Sequence, residues 1–217
     1  MILKIILTKP NVNIPINNQK ELNSFIHRCL GENNKYHDTF SDYSISSLQG
    51  GKLNENKFLT FSENPYIICN TNNMEFITSL IDGLNRGVKF FDMKLEKLLF
   101  DDFIVNEFYD KVITISPILI KYNNHKITHY HEKWLETLII QSKNKLNKLG
   151  IVDDTFDIKI RNFQNAKEKS IYVGNVFNPS TMISLVIYGK PNTRKTLYNL
   201  GLGNSTGSGF GCIKLYK

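Results

Sequence analysis

The side chains that exchange protons near neutral pH are few, and their spacing narrows what they can do. The five histidines are His27, His37, His125, His129 and His131. An imidazole titrates near pH 6.5, so each could give or take a proton close to neutrality. The run Thr128-His129-Tyr130-His131-Glu132 invites a metal, because residues two apart share one side of an extended segment. A zinc site needs a third and a fourth ligand, however, and no matching His/Cys pair stands elsewhere. No metal and no cofactor is therefore expected, and His129 and His131 are expected to flank the approach to a helix. Cys29, Cys69 and Cys212 are isolated and odd in number, without the spacing of a zinc cluster or a disulfide framework. That usage fits a reducing, cytoplasmic compartment.

The densest local signal is Gly201-Leu202-Gly203-Asn204-Ser205-Thr206-Gly207-Ser208-Gly209-Phe210-Gly211, which holds five of the thirteen glycines. Such density suits backbone at positive φ or the close approach of another group, and a backbone surface for phosphate is one such use. A flexible tail is the plain alternative. Asn192 to Leu200, after Pro191, reads as a short helix and Phe210 to Tyr216 as a strand. Dinucleotide-binding glycines instead follow a strand and open a helix, and a triphosphate loop ends in Gly-Lys-Ser/Thr, which is missing here.

The 217 residues suffice for one large or two small domains, and a hydrophobic content of 41% supports an ordinary core. A formal charge of +7 favours a polyanionic partner, since Lys and Arg displace the counterions condensed on nucleic acid. The apolar start, Met1 to Thr8, is too short for a signal peptide, and no segment approaches the roughly 20 apolar residues of a membrane span. No membrane partner is expected.

Periodicity lays out the elements that must position these residues. Ile2 to Leu7 reads as a strand. Gln19 to Leu30 reads as a helix capped by Asn17 or Asn18, with Leu22, Phe25, Ile26, Cys29 and Leu30 at helical spacing and Gly31 at its end. Tyr43 to Leu48 and Lys57 to Ser62 read as strands around a Gly50-Gly51 turn, with Pro65 to Asn70 a further short strand. Met74 to Gly87 is helical and Val88 to Leu99 largely extended. The order is β-α-β-β-α-β, the ferredoxin-like arrangement. It then recurs: Val112 to Lys121, a helix from Glu132 to Leu149, strands at Phe156 to Asn162 and Met182 to Tyr188, the helix before the glycine loop, and the closing strand. Ser170 to Phe177 could add another strand. The fold class is α+β, two tandem ferredoxin-like domains over 1–110 and 111–217, divided near Phe108 to Lys111.

Two such units with a glycine loop between the last helix and the last strand resemble the CRISPR-associated endoribonucleases of family six, in the repeat-associated mysterious protein superfamily. The family's loop of Gly-hydrophobic-Gly, five residues, Gly-hydrophobic-Gly is matched by Gly201-Leu202-Gly203, Asn204 to Ser208, and Gly209-Phe210-Gly211. The resemblance extends to Asn17-Asn18-Gln19, Tyr43 to Leu48, and Ile113-Thr114-Ile115-Ser116-Pro117. It implies a metal-independent endonuclease that cleaves CRISPR repeat RNA through the RNA's own 2′-hydroxyl, leaving 2′,3′-cyclic phosphate ends. It also implies that His27, at the first-helix position where members often carry a catalytic His or Tyr, and His37, in the helix-to-strand connection, form an acid/base pair. Which is the acid stays open, and Tyr36 is a substitute. From its own surroundings, one residue past Ile26, His27 also suits packing or capping.

Some family members place a lysine shortly before the second strand, where this chain has Thr39, Ser41 and Asp42. A stabilising cation would then come from Arg28, Lys35 or Lys52, each of which also suits a solvated surface. Arg161, Lys159, Arg194 and Lys195 are placed for phosphate contact, with Gly201, Gly203, Gly209 and Gly211 holding RNA or shaping a cleft. Lys143, Lys145 and Lys148 read as a solvated helix face. The implied partner is CRISPR repeat RNA, compatible with further effector subunits or a homodimer. A non-catalytic RNA-binding subunit and a purely structural interaction module are the competing classes.

Overall fold

The computed structural model describes residues 1–31, 34–36 and 40–216. Strand β1 (Ile2–Leu7) alternates strictly, with Leu3, Ile5 and Leu7 fully buried and Ile2, Lys4 and Ile6 on the opposite face. It is followed by β2 (Ile14–Pro15), α1 (Gln19–Leu30), β3 (Tyr43–Ile45), β4 (Gln49–Leu53), β5 (Phe58–Thr71), α2 (Met74–Asn85) and β6 (Leu95–Asp101). β1 lies between β5 and β6, and β3 and β4 also pair with β5, all antiparallel. This is the ferredoxin-like strand order.

The second half repeats it with β7 (Tyr109–Thr114), a small hairpin of β8 (Ile120–Tyr122) and β9 (His125–Ile127), α3 (Trp134–Lys148) and β10 (Asp157–Ile160). A second hairpin, β11 (Lys167–Val173) and β12 (Val176–Met182), precedes β13 (Ser184–Tyr188), α4 (Pro191–Leu200) and β14 (Ile213–Leu215). Its main sheet has the order β10-β13-β7-β14.

Each half has its own core. Leu3, Ile5, Phe25, Ile67, Phe76 and Leu80 anchor the first, and Val112, Trp134, Leu138, Leu185, Leu197 and Ile213 the second. Each such side chain contributes about 1.5–3 kcal/mol on burial. Phe103 and Val105, in the connecting segment, pack into the second core. Direct hydrogen bonds join the halves: Asn70 Nδ2 donates to Ile213 O at 3.1 Å, and Gln49 Nε2 to Ile115 O at 3.0 Å.

Several local expectations are corrected. Gly50 and Gly51 lie within β4, and the turn is Asn54 to Lys57, where Asn54 Oδ1 accepts from the N–H groups of Asn56 and Phe58. That side chain supplies the turn, as an Asx residue can. Pro65 does not divide β5, because pairing with β4 jumps from Gln49↔Tyr66 to Gly51↔Phe61 and leaves Pro65 without a ladder partner. Asn18 precedes α1, but its amide donates to Pro15 O at 2.8 Å and caps nothing. Asn73 does cap α2, accepting from Phe76 N–H at 3.0 Å. The expected strand at Ser170 to Phe177 is instead the tip of the β11–β12 hairpin, turning at Gly174 with φ 57°. The strand expected over Val112 to Lys121 ends at Thr114, just before Ser116-Pro117.

Candidate functional site

The glycine loop leaves α4 and crosses to the first half of the molecule before β14 begins. Gln19 Nε2, at the start of α1, donates to Ser208 O at 2.8 Å, and Thr206 Oγ1 donates to Tyr43 O at 3.4 Å. Gly201, Gly203, Gly209 and Gly211 are all buried with positive φ. A side chain at Gly209 would overlap the Gln19 amide, and one at Gly211 would overlap the Leu202 carbonyl. The four glycines therefore shape the cleft by close packing, one of the two roles expected of them from sequence. The exposed part of the loop is the arc around Ser205.

That arc closes one side of a cleft of about 610 Å³ between the two halves. His27, Tyr36 and Tyr43 line it from the first half, and Lys145 and Lys148 from α3 in the second. His27 is half-buried on α1, with Asn34 Nδ2 3.4 Å from its Nδ1. The orientation of Asn34 is fixed elsewhere: its Oδ1 accepts from Tyr36 N–H at 3.2 Å, and its Nδ2 donates to Gly31 O at 2.9 Å. An amide N–H therefore faces Nδ1, which must accept, so a neutral ring carries its proton on Nε2. His37, expected as its acid/base partner, lies outside the described residues, as does Thr39.

An aromatic wall stands beside His27. Tyr36 packs edge-on to Phe76 with ring centroids 5.1 Å apart, and Tyr43 stacks on Phe76 at 4.1 Å. Burial raises the Tyr36 phenol above its ordinary value and pushes Tyr43 up to about 12, so neither loses its proton near neutral pH.

The opposite wall carries the residues that sequence reasoning assigned to solvent. Lys143 is exposed, but Lys145 is half-buried and its ammonium donates to Leu200 O at 3.4 Å and Gly201 O at 3.1 Å. Burial, with a smaller contribution from neighbouring Lys148, brings Lys145 down to about 7. Lys148 Nζ lies 5.0 Å from the centre of the Phe40 ring, across from the first half. Among the described residues lining this cleft there is no carboxylate. The available sequence signal was the spacing of Gln141, Lys145 and Lys148 at i, i+4 and i+7, which places them along one helix face.

The other expected phosphate contacts scatter. Arg28 donates to the carbonyls of Ser24 and Lys89, Lys35 pairs with Glu75, and Lys52 is exposed on β4; none of them lines the cleft. Arg194 is a correction. It is fully buried, ion-paired to Asp110 at 2.5 Å, and donates to the carbonyls of Asn106, Glu107 and Gly189. Tyr198 donates to the same Asp110 oxygen at 2.6 Å, so no ligand reaches this guanidinium. Lys195 pairs with Asp102 at 2.6 Å. His129 is buried against Thr181 and Phe163, with its pKa lowered by burial, while His131 Nδ1 accepts from Lys133 N–H ahead of α3. Among the described residues no three His, Cys, Asp or Glu side chains are grouped as metal ligands would be, and no helix is long and apolar enough to cross a membrane.

A second hollow, of about 940 Å³, lies on the sheet faces away from the helices. Lys4, Phe100, Lys111, Ile113 and Tyr216 line it, and the Arg161 guanidinium sits 4.1 Å from the centre of the Tyr216 ring. Bases stack on aromatic groups set among cations of this kind.

Comparison with known proteins follows the same lines. No curated protein sequence matches the chain. Solved structures share the fold along its whole length. One described as "CRISPR associated protein Cas6" is 19% identical with a TM-score of 0.82, covering 100% of this chain and 99% of that one. A Cas6-related protein from Pyrococcus furiosus is 20% identical with a TM-score of 0.84, covering 100% and 98%. "An RAMP protein binding different RNA substrates" is 16% identical with a TM-score of 0.85, covering 100% of both chains. At such identities these likenesses establish the double ferredoxin-like fold alone. The family model "CRISPR associated protein Cas6, C-terminal" matches residues 103–215, more than half of the sequence. The chain therefore belongs to the CRISPR-associated Cas6 family.

Proposed function

We propose that this protein binds CRISPR repeat RNA and cleaves it without a metal ion, using His27 and His37 as the acid/base pair. The observation that carries this reading is the cleft itself, which unites a half-buried histidine with two lysines and the glycine loop and is lined by no carboxylate among the described residues. A phosphodiester fits such a site, since its charge meets cations and neutral donors only.

In the reaction, the 2′-oxygen attacks the adjacent phosphorus as a base takes its proton, and the P–O5′ bond breaks as an acid protonates the departing oxygen. No water is consumed, so the products are a 2′,3′-cyclic phosphate and a 5′-hydroxyl. One of His27 and His37 is the base that takes the 2′-hydroxyl proton, and the other, as the imidazolium, is the acid that protonates the leaving oxygen. The sheet-face hollow, with Phe100, Tyr216 and Arg161, is the seat for unpaired bases upstream or downstream of the cut.

The test is cleavage of the cognate repeat in EDTA. His27→Ala and His37→Ala should each slow single-turnover cleavage by about 10²–10⁴-fold. Unchanged rates in both would overturn the assignment. The second reading, an RNA-binding subunit without catalysis, draws on the likeness to the RAMP protein that binds different RNA substrates and on Thr39, Ser41 and Asp42 standing where some relatives have a lysine. Tight repeat binding with no cyclic phosphate product would establish it.

A further inference from the structure

We infer that Lys145 is the cation that seats the reacting phosphate, supplied from the second half of the molecule to a site whose histidine comes from the first. This deepens the cleavage reading and rests on it. The alternatives from the first half are engaged or remote: Arg28 is bound to main-chain carbonyls, Lys35 to Glu75, and Lys52 lies on β4 away from the cleft. Lys145 is instead held in place. Two carbonyl oxygens at the end of α4, those of Leu200 and Gly201, accept from its ammonium, which has three donors. The same two contacts tie its position to the entry of the glycine loop, so loop and cation are set together.

Electrostatics point the same way. The titratable groups lining the cleft beside Lys145 are His27 on α1, Tyr36 and Tyr43 on the aromatic wall, and Lys148 one turn along its own helix. With no carboxylate among the described lining residues, nothing there neutralises a half-buried ammonium. A phosphate would. As the 2′-oxygen adds to phosphorus, negative charge grows on the non-bridging oxygens, and a fixed N–H donor aimed at them favours the transition state over the ground state. Lys145 keeps its proton throughout; the two protons that move belong to the 2′-hydroxyl and the leaving 5′-oxygen. Its depressed pKa means that bound RNA must also draw it into the charged form.

The experiment is single-turnover cleavage of repeat RNA at saturating protein, comparing the wild type with Lys145→Met, Lys145→Arg and the exposed control Lys143→Met. Lys145→Met should lower the maximal rate by about 100- to 1,000-fold while half-saturation by RNA moves far less, Lys145→Arg should recover part of that loss, and Lys143→Met should match the wild type. The pH profile separates a catalytic cation from a packing role and needs only the Arg variant to fold. Read at subsaturating protein, where titration of the free protein governs, the wild-type rate should fall as Lys145 deprotonates above neutrality, and the Arg variant, which cannot deprotonate there, should hold its rate. A Met variant within about threefold of the wild type, or coincident pH profiles, would overturn the inference and leave cleavage by the histidines standing. A wild-type protein that binds repeat RNA and never cuts it would remove the cleavage reading and this inference together.

Discussion

Arg194 and Lys145 are both cations drawn out of water near the two ends of α4, and they are treated in opposite ways. Arg194 has a carboxylate at 2.5 Å and donates to three further main-chain carbonyls, and the Asp110 that neutralises it also accepts from Tyr198 and Asn106. Lys145 has two carbonyl oxygens and, among the described residues lining its cleft, no carboxylate. A satisfied buried ion pair leaves nothing for a ligand, whereas a half-buried cation facing an open cleft is stabilised by whatever anion enters. The fold thus uses one cation to fasten the segment joining its halves and leaves the other poised between them.

The sharpest way to break this contrast is to remove the paired cation. Arg194→Met leaves Asp110 buried without its partner and should cost about 3–5 kcal/mol of stability, read as a lower urea midpoint. Cleavage per folded molecule should be retained, because no part of the cluster lines the cleft. A variant of wild-type stability that lost RNA binding would instead return Arg194 to the role expected from sequence.

The cleft side is broken more gently through its loop. Gly209 has φ +82°, and a methyl there would overlap the Gln19 amide that holds Ser208. Gly209→Ala should therefore cost about 2 kcal/mol, roughly the sum of a left-handed residue and a lost hydrogen bond. Unlike Arg194→Met, it should weaken RNA binding in the molecules that remain folded, since the displaced segment is a wall of the cleft. Equal losses of affinity in both variants would erase the distinction between the two regions.

Which parts of this were legible in the sequence follows from how far each cause reaches along the chain. The helix from Gln19 to Leu30 was legible to the residue because its apolar spacing and terminal glycine are local. So was the doubled β-α-β-β-α-β order, which needs only alternating periods of 2 and 3.6. Pro65 was misplaced because a skipped pairing register excuses its missing N–H, and register is set by β4. Arg194 was assigned to RNA because its partner Asp110 lies 84 residues earlier, and Lys145 to solvent because the carbonyls that cover it come 55 and 56 residues later. His27 was separable from an ordinary packing histidine only through the family resemblance, and its half-buried place in the cleft agrees with either character taken alone. Asn34, which orients its ring, carried no sequence signal at all.

The uncompensated charge should also be readable in stability without RNA. Below about pH 7 the folded and unfolded chains both hold the Lys145 proton, and the folded state bears the full penalty of a desolvated ammonium. Between about 7 and the ordinary lysine value of roughly 10.4 the unfolded chain binds a proton that the folded chain has released, so stability rises with pH across that window. Above it the contribution is constant. Lys145→Met removes the effect, so the wild-type advantage over this variant should grow from pH 7 to pH 10 in paired urea titrations. A constant difference would mean that solvent or an unseen counter-charge already relieves the ammonium.

The smallest expected effect concerns Lys148, which shares the helix face but sits over the Phe40 ring with its stem exposed. A solvated lysine contributes to RNA affinity mainly by releasing a counterion, so losing it changes the salt dependence more than the chemistry. Lys148→Met should reduce the log–log salt slope of repeat binding by about 0.7, with the saturated cleavage rate within a few-fold of the wild type. That result, set beside a large rate loss in Lys145→Met, would separate the two lysines by burial alone, one turn apart on α3. If instead Lys148→Met abolished cleavage while Lys145→Met left it intact, the uncompensated charge at the end of α4 would be a feature of packing, and the reacting phosphate would sit nearer Phe40.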